Sequence, residues 1–113
     1  MNTNKLIEYI DNALVESNRL VKTSPYYEED KEPIKSTNLV LLLLKSEAQK
    51  NGNNIHTRVL RAAHDLGMSS YKEFENTHLE DAINKVIEVL HSELPAYKKL
   101  SPLRMDFGKG NPI

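Results

Sequence analysis

The chain has 113 residues, no cysteine and a formal net charge of −1. This length is typical of one domain and leaves no room for two independent cores. The lack of cysteine excludes disulfides and thiolate metal sites. The longest apolar run, Leu39–Leu44, is far shorter than the roughly 20 residues of a bilayer-spanning helix. Residues 1–35 and 36–94 each carry a net charge of −2, so we expect no nucleic-acid binding.

The first predicted element is an amphipathic helix that ends near Thr23. One of its faces follows the helical period, with charged residues on the other side. The residues of this face are Leu6, Ile7, Ile10, Ala13, Leu14, Ser17, Leu20 and Val21. Asn2 or Thr3 is the expected N-cap, and Pro25 ends the helix because the residue before a proline avoids helical angles. The N-terminus shows no basic segment followed by an apolar stretch, so we expect no signal peptide and a cytoplasmic location.

Residues 24–35 form a predicted loop that is acidic and rich in tyrosine. Prolines lie near both ends, and no apolar period runs through it. Tyrosine is enriched at interface hot spots, and clustered acids speed association with a basic partner. We therefore predict that six residues of this loop bind a partner, the alternative being a solvated connection. The six residues are Tyr26, Tyr27, Glu28, Glu29, Asp30 and Glu32.

A second helix is predicted from about Ser36 to Lys50, with Gly52 as its left-handed stop. The run Leu39–Leu44 also fits a buried strand, because a short apolar run has no diagnostic period. Leucine in place of β-branched residues, and the helix formers that follow, favour a helix. Since this run is apolar on every side, we expect it to form the central helix of the core.

Asn54 is expected to cap a third helix that ends at Gly67. The capping-box spacing of Ser70 and Glu73 predicts a separate short helix after it. Two helices joined so closely make residues 60–75 similar to a helix-turn-helix, which would bind DNA. The second of these helices is rich in glutamate, however, which opposes contact with phosphates.

The last long helix is predicted from Thr77 to Leu94, where Pro95 interrupts it before one more turn over residues 96–100. Residues 101–113 are predicted to form an irregular tail, because they contain two prolines and two glycines. The expected fold is therefore all-α, a compact bundle of four to five helices in a single domain spanning residues 1–113.

The sequence shows no catalytic or metal-binding motif. Its four histidines, His56, His64, His78 and His91, have no metal-site spacing and are interpreted as surface residues. No serine lies in a nucleophile-elbow pattern. The segment Gly108–Gly110 lacks the strand-to-helix context and the Ser or Thr of a phosphate-binding loop. In the tail, Met105 and Phe107 are expected to pack against the bundle. We therefore expect a binding protein that uses no cofactor and no metal, rather than an enzyme.

The stretch 55–77 begins with IHTRVLRA at residues 55–62 and ends with YKEFENT at 71–77, and the chain ends with LSPLRMDFGKGNPI at 100–113. These two stretches resemble small bacterial immunity proteins of polymorphic-toxin and contact-dependent growth inhibition systems. The resemblance implies a cytoplasmic protein that binds a cognate toxin domain, often a nuclease, and blocks its active site. Nucleases tend to be basic because their substrate is polyanionic, and the acidic loop would suit such a partner. The alternatives are a helix-turn-helix regulator using residues 60–75 and an adaptor that binds a protein other than a toxin.

Overall fold

The computed structural model describes residues 2–100, and every regular element in this range is an α-helix. Four helices are long, α1 (Thr3–Thr23), α3 (Glu32–Asn51), α4 (Thr57–Glu73) and α5 (His78–Glu93). A short helix, α2 (Pro25–Glu29), lies between α1 and α3, and residues 95–100 form α6. The predicted all-α fold is confirmed. The predicted tail, residues 101–113, lies outside the described residues.

The four long helices form a closed ring in which each packs against two others. Helix α1 contacts α3 and α5, and α4 contacts the same two helices from the opposite side. The ion pair Lys45–Asp11 and the hydrogen bond from Ser17 to Asn38 show that α1 and α3 run antiparallel. The ring encloses an apolar core whose fully buried members include Leu6, Leu41 and Ile83. This arrangement is that of a four-helix bundle.

The N-caps of α1 and α5, and the break after α5, agree with the sequence predictions. The Asn2 side chain caps α1 by accepting a hydrogen bond from the Lys5 backbone N–H at 3.1 Å. The Thr77 hydroxyl caps α5 by accepting from the Glu80 N–H at 3.2 Å. Pro95 follows the end of α5 and begins α6, because proline fits the first turn of a helix but not its interior.

The loop predicted for residues 24–35 is wrong in its secondary structure. Residues 25–29 form α2, and α3 begins at Glu32, about one turn before the predicted start. Both helices carry a proline in their first turn, where the backbone N–H groups need no partner within the helix. The prolines that suggested a loop are therefore compatible with two helix starts.

The prediction of a helix over Leu39–Leu44 is confirmed, but the prediction that it forms the centre of the core is wrong. In a closed ring of four helices, each helix keeps one face toward solvent. Leu41 and Leu44 point into the core, whereas Leu39, Leu42 and Leu43 lie on the opposite side and are 61%, 52% and 46% exposed.

Helix α4 is continuous through Gly67, so the predicted stop and the separate short helix are wrong. The Ser70 hydroxyl donates to the Gly67 carbonyl oxygen at 3.2 Å instead of capping a new helix. Gly67 also faces α5 closely, since a Cβ placed there would lie 3.0 Å from Ile87 Cγ1. The glycine permits close helix packing, and residues 60–73 are one continuous helix without the turn that a helix-turn-helix needs after Gly67.

Candidate partner-binding surface

Five predicted site residues are exposed together where α1 turns into α3. We call them the acidic corner, and they are Tyr26, Glu28, Glu29, Asp30 and Glu32. The tyrosine is 63% exposed, although it is a large aromatic residue. Four carboxylates beside an exposed ring form a surface that attracts cationic groups and offers apolar contact area.

The sixth predicted site residue, Tyr27, belongs to the core. Only 9% of its surface is exposed, and its hydroxyl donates a hydrogen bond to the Glu73 carbonyl oxygen. Its ring centroid lies 5.7 Å from that of Phe74 and 4.9 Å from that of Tyr26. Burial, together with Tyr26 and Glu73, raises the pKa of the Tyr27 phenol. Tyr27 therefore anchors α2 to the end of α4 and positions the acidic corner.

Some acidic-corner carboxylates also stabilise the helix starts on which they lie. Asp30 Oδ1 accepts a hydrogen bond from the Glu32 N–H at 3.2 Å, just ahead of α3. Glu28 and Glu32 lie in the first turns of α2 and α3, where a negative charge interacts favourably with the helix dipole. These local interactions leave the carboxylates exposed.

A groove between α3 and α4 opens next to the acidic corner. Its volume is about 510 Å³. The residues that line it are Pro33, Ser36, Thr37, Val40, Ala62, Asp65, Leu66, Ser69, Glu73 and Phe74. Glu73 and Phe74 also contact Tyr27, whose ring packs against that of Tyr26 in the corner. Sequence reasoning missed this groove because it depends on the pairing of α3 with α4.

A second groove, of about 450 Å³, runs between α1 and α5 and carries both signs of charge. It is lined by Tyr9, Asn12, Val15, Glu16, Arg19, His78, Asp81, Ala82 and Lys85. The Arg19 guanidinium pairs with the Glu16 carboxylate at 2.8 Å on its floor. Its lining contains two acidic and two basic side chains, Glu16, Asp81, Arg19 and Lys85.

The histidines lie in different environments. His56 caps α4, because its Nδ1 accepts a hydrogen bond from the Arg58 N–H at 3.0 Å. His64 is buried, and its ring centroid lies 5.7 Å from that of Tyr97, so its interpretation as a surface residue is wrong. It shares the inward face of α4 with Leu60, four residues earlier, a spacing that could have identified it. Across residues 2–100, no three His, Asp or Glu side chains come together in a way that could hold a metal ion.

Within residues 2–100, no helix combines the length and the apolar character needed to cross a membrane. Comparisons with protein-family models, with curated proteins and with solved structures found no match to this chain.

Proposed function

We propose that the chain is a toxin-neutralising immunity protein. It binds a basic toxin domain, a nuclease, through its acidic corner. The observation that carries this proposal is the set of exposed carboxylates of Glu28, Glu29, Asp30 and Glu32 beside the exposed ring of Tyr26. The resemblance of residues 55–77 and 100–113 to bacterial immunity proteins supplies the class of partner.

The packing that fixes the position of the acidic corner favours rapid and tight binding. Tyr27 fixes α2 against α4, so the corner is held in place before a partner arrives and loses little conformational entropy on binding. Clustered negative charge raises the association rate with a basic surface. A nuclease must expose a basic substrate path, and an acidic surface placed over that path competes with nucleic acid.

The adjoining groove between α3 and α4 offers a place for an apolar side chain of the partner. Val40, Leu66 and Phe74 contribute apolar atoms to its lining. Interfaces commonly combine an apolar anchor in a pocket with a polar rim. The groove and the corner together provide these two features on one side of the bundle.

The structure favours this proposal over the helix-turn-helix regulator. Residues 60–73 lie in one continuous helix, which offers no second helix set at an angle for insertion into a DNA groove. An adaptor that binds a protein other than a toxin would use the same surface, and the identity of the partner separates the two functions.

The test is co-expression of the chain with the C-terminal region of the protein encoded immediately upstream of it, which the proposal expects to be a toxin domain. We expect the cells to survive and the two proteins to co-purify in equimolar amounts. A catalytically inactive toxin domain serves as the control for binding without toxicity. Cell death together with the absence of a complex would contradict the proposed function.

A further inference from the structure

The outward face of α3 is apolar and carries no charge over about four turns. Leu39, Leu42 and Leu43 are 61%, 52% and 46% exposed on this face. Between Ser36 and Gln49, none of the exposed residues of α3 is charged. Covering this face removes apolar surface from water, which is favourable.

The residues of this face are arranged symmetrically about position 41. Leu39 and Leu43 lie two residues to either side of that position, and Ser36 and Ser46 lie five residues to either side. Glu32 and Lys50, nine residues to either side, carry opposite charges. A two-fold interface requires this property, since each residue must fit its symmetry-related counterpart on the other copy.

We propose that α3 pairs antiparallel with α3 of a second copy of this chain, about a two-fold axis next to Leu42. Leu39 then packs against Leu43 of the other copy. The small side chains of Ser36 and Ser46 let the two helices approach closely. Each Glu32 meets a Lys50, which forms two ion pairs at the ends of the interface.

The pattern of charge favours a second copy over a basic partner for this face. A basic partner would be repelled by Lys35 and Lys50, which are exposed at the two ends of this face. A second copy that runs antiparallel instead places Lys35 near the uncharged Gln49 and Lys50 near Glu32. The inference does not rest on the proposed function. The dimer interface shares Glu32 with the acidic corner and Ser36 with the groove between α3 and α4, whereas Glu28, Glu29 and Asp30 stay outside it and remain free to bind a toxin.

The first test is sedimentation of the full chain over a wide range of concentration, with the variant Leu42→Glu and the control Val15→Glu. Val15 is an exposed apolar residue of α1, 53% exposed, and lies away from α3. We expect wild type and the control to dimerise, and Leu42→Glu to raise the dissociation constant about a hundredfold or more, since it places two like charges at the axis. Circular dichroism should show an unchanged fold, because Leu42 is not part of the core.

A wild-type protein that stays monomeric at every concentration would overturn the proposal, even if Leu42→Glu abolished toxin binding. That combination of results would mean that the outward face of α3 binds the toxin. A dimer that Leu42→Glu and Val15→Glu weaken equally would overturn it as well.

The second test determines the register, and it uses the absence of native cysteine. Ser36→Cys and Ser46→Cys proteins are treated with a short bis-maleimide, each alone and as a mixture. The antiparallel pairing predicts efficient cross-linking in the mixture and little in either protein alone. Val15→Cys is the background control. Equal cross-linking of Ser36→Cys alone and of the mixture would overturn the antiparallel register.

Discussion

Tyr26 and Tyr27 are adjacent in the chain but differ in their surroundings, and this difference predicts opposite effects of mutation. Tyr27→Ala removes a core ring and its hydrogen bond to Glu73, so the free energy of unfolding should fall by about 3 to 5 kcal/mol. Tyr26→Ala should change it by less than about 0.5 kcal/mol, because that side chain is 63% exposed. Urea denaturation of the two variants measures both values, and equal losses would contradict the assignment of Tyr27 as the anchor.

The hydroxyl of Tyr27 can be tested separately from its ring. Tyr27→Phe keeps the contact with Phe74 but loses the hydrogen bond to the Glu73 carbonyl oxygen. We expect a loss of about 1 kcal/mol in the free energy of unfolding. A variant as unstable as Tyr27→Ala would mean that the hydrogen bond, and not the packing, holds α2 in place.

Tyr97 makes the stability of the fold depend on pH in the alkaline range. Burial, and to a smaller extent Asp65, raises the pKa of its phenol to about 12, whereas a tyrosine in an unfolded chain titrates near about 10. The fold therefore favours the neutral phenol. Its stabilising effect is fully present below about pH 10 and is lost as the pH rises through about 12.

We expect Tyr97→Phe to flatten the decrease in stability that wild type shows between about pH 10 and pH 12. Urea denaturation of both proteins in steps from neutral to alkaline pH measures the two slopes. All other titratable side chains are the same in both proteins, so the difference between the slopes isolates Tyr97. The raised pKa of Tyr27 acts in the same direction and leaves part of the slope in the variant. Identical slopes in the two proteins would contradict the effect of burial on Tyr97.

The roles of individual tyrosines could be predicted only in part from the sequence. The clustering of aromatic and acidic residues in positions 26–32 marks an unusual surface, and four of its acids and Tyr26 are indeed exposed. The burial of Tyr27 could not be predicted, because the five residues of α2 are too few to show an apolar period. Its partner Phe74 is 47 positions further along the chain, so only the tertiary structure brings the two rings together.

At the scale of the helices, two glycines have different functions. Gly52 ends α3 with φ 58° and ψ −119°, angles that a residue with a Cβ rarely adopts. Gly67 lies inside α4, where its lack of a side chain makes room for Ile87. The sequence alone suggested that both were helix stops, because glycine serves both purposes.

We expect Gly52→Ala to lower the free energy of unfolding by about 1 to 2 kcal/mol, the cost of a Cβ at positive φ. Gly67→Ala should have a smaller effect. Alanine favours the helix by about 1 kcal/mol, while its Cβ would lie 3.0 Å from Ile87 Cγ1 and oppose that gain. Thermal and urea denaturation of the pair provide the measurement. A larger loss in Gly67→Ala than in Gly52→Ala would mean that Ile87 does not shift to accommodate the added Cβ, contrary to this expectation.

Helix α3 shows why element type was predictable from the sequence and orientation was not. The composition of Leu39–Leu44 and of the residues after it correctly indicated a helix. Six consecutive apolar residues, however, contain no contrast from which a buried face can be identified. The packing of α3 against α1 and α4 determines which face is buried. It buries Leu41 and Leu44 and leaves Leu39, Leu42 and Leu43 exposed.

At the scale of the whole molecule, the sequence predicted a single all-α bundle because α1 and α5 each carry a clear apolar stripe. The order of packing around the ring could not be predicted, since a stripe shows that a face is buried but not against which helix. The groove between α3 and α4 and the mounting of the acidic corner on Phe74 and Glu73 both depend on that order. The acidic corner comes from residues close together in the sequence, whereas the groove and the contacts of Tyr27 arise only when the helices pack.

The most direct test of partner recognition by the acidic corner is the affinity of the toxin domain for wild type and for two double variants. Glu28→Lys/Glu29→Lys reverses charges in the corner, and Glu8→Lys/Glu88→Lys reverses the same number at exposed sites on α1 and α5. We predict that the first weakens binding about tenfold or more, mainly through a slower association whose dependence on salt is reduced. The second should bind within about twofold of wild type. Equal affinities for wild type and Glu28→Lys/Glu29→Lys would contradict recognition through the acidic corner.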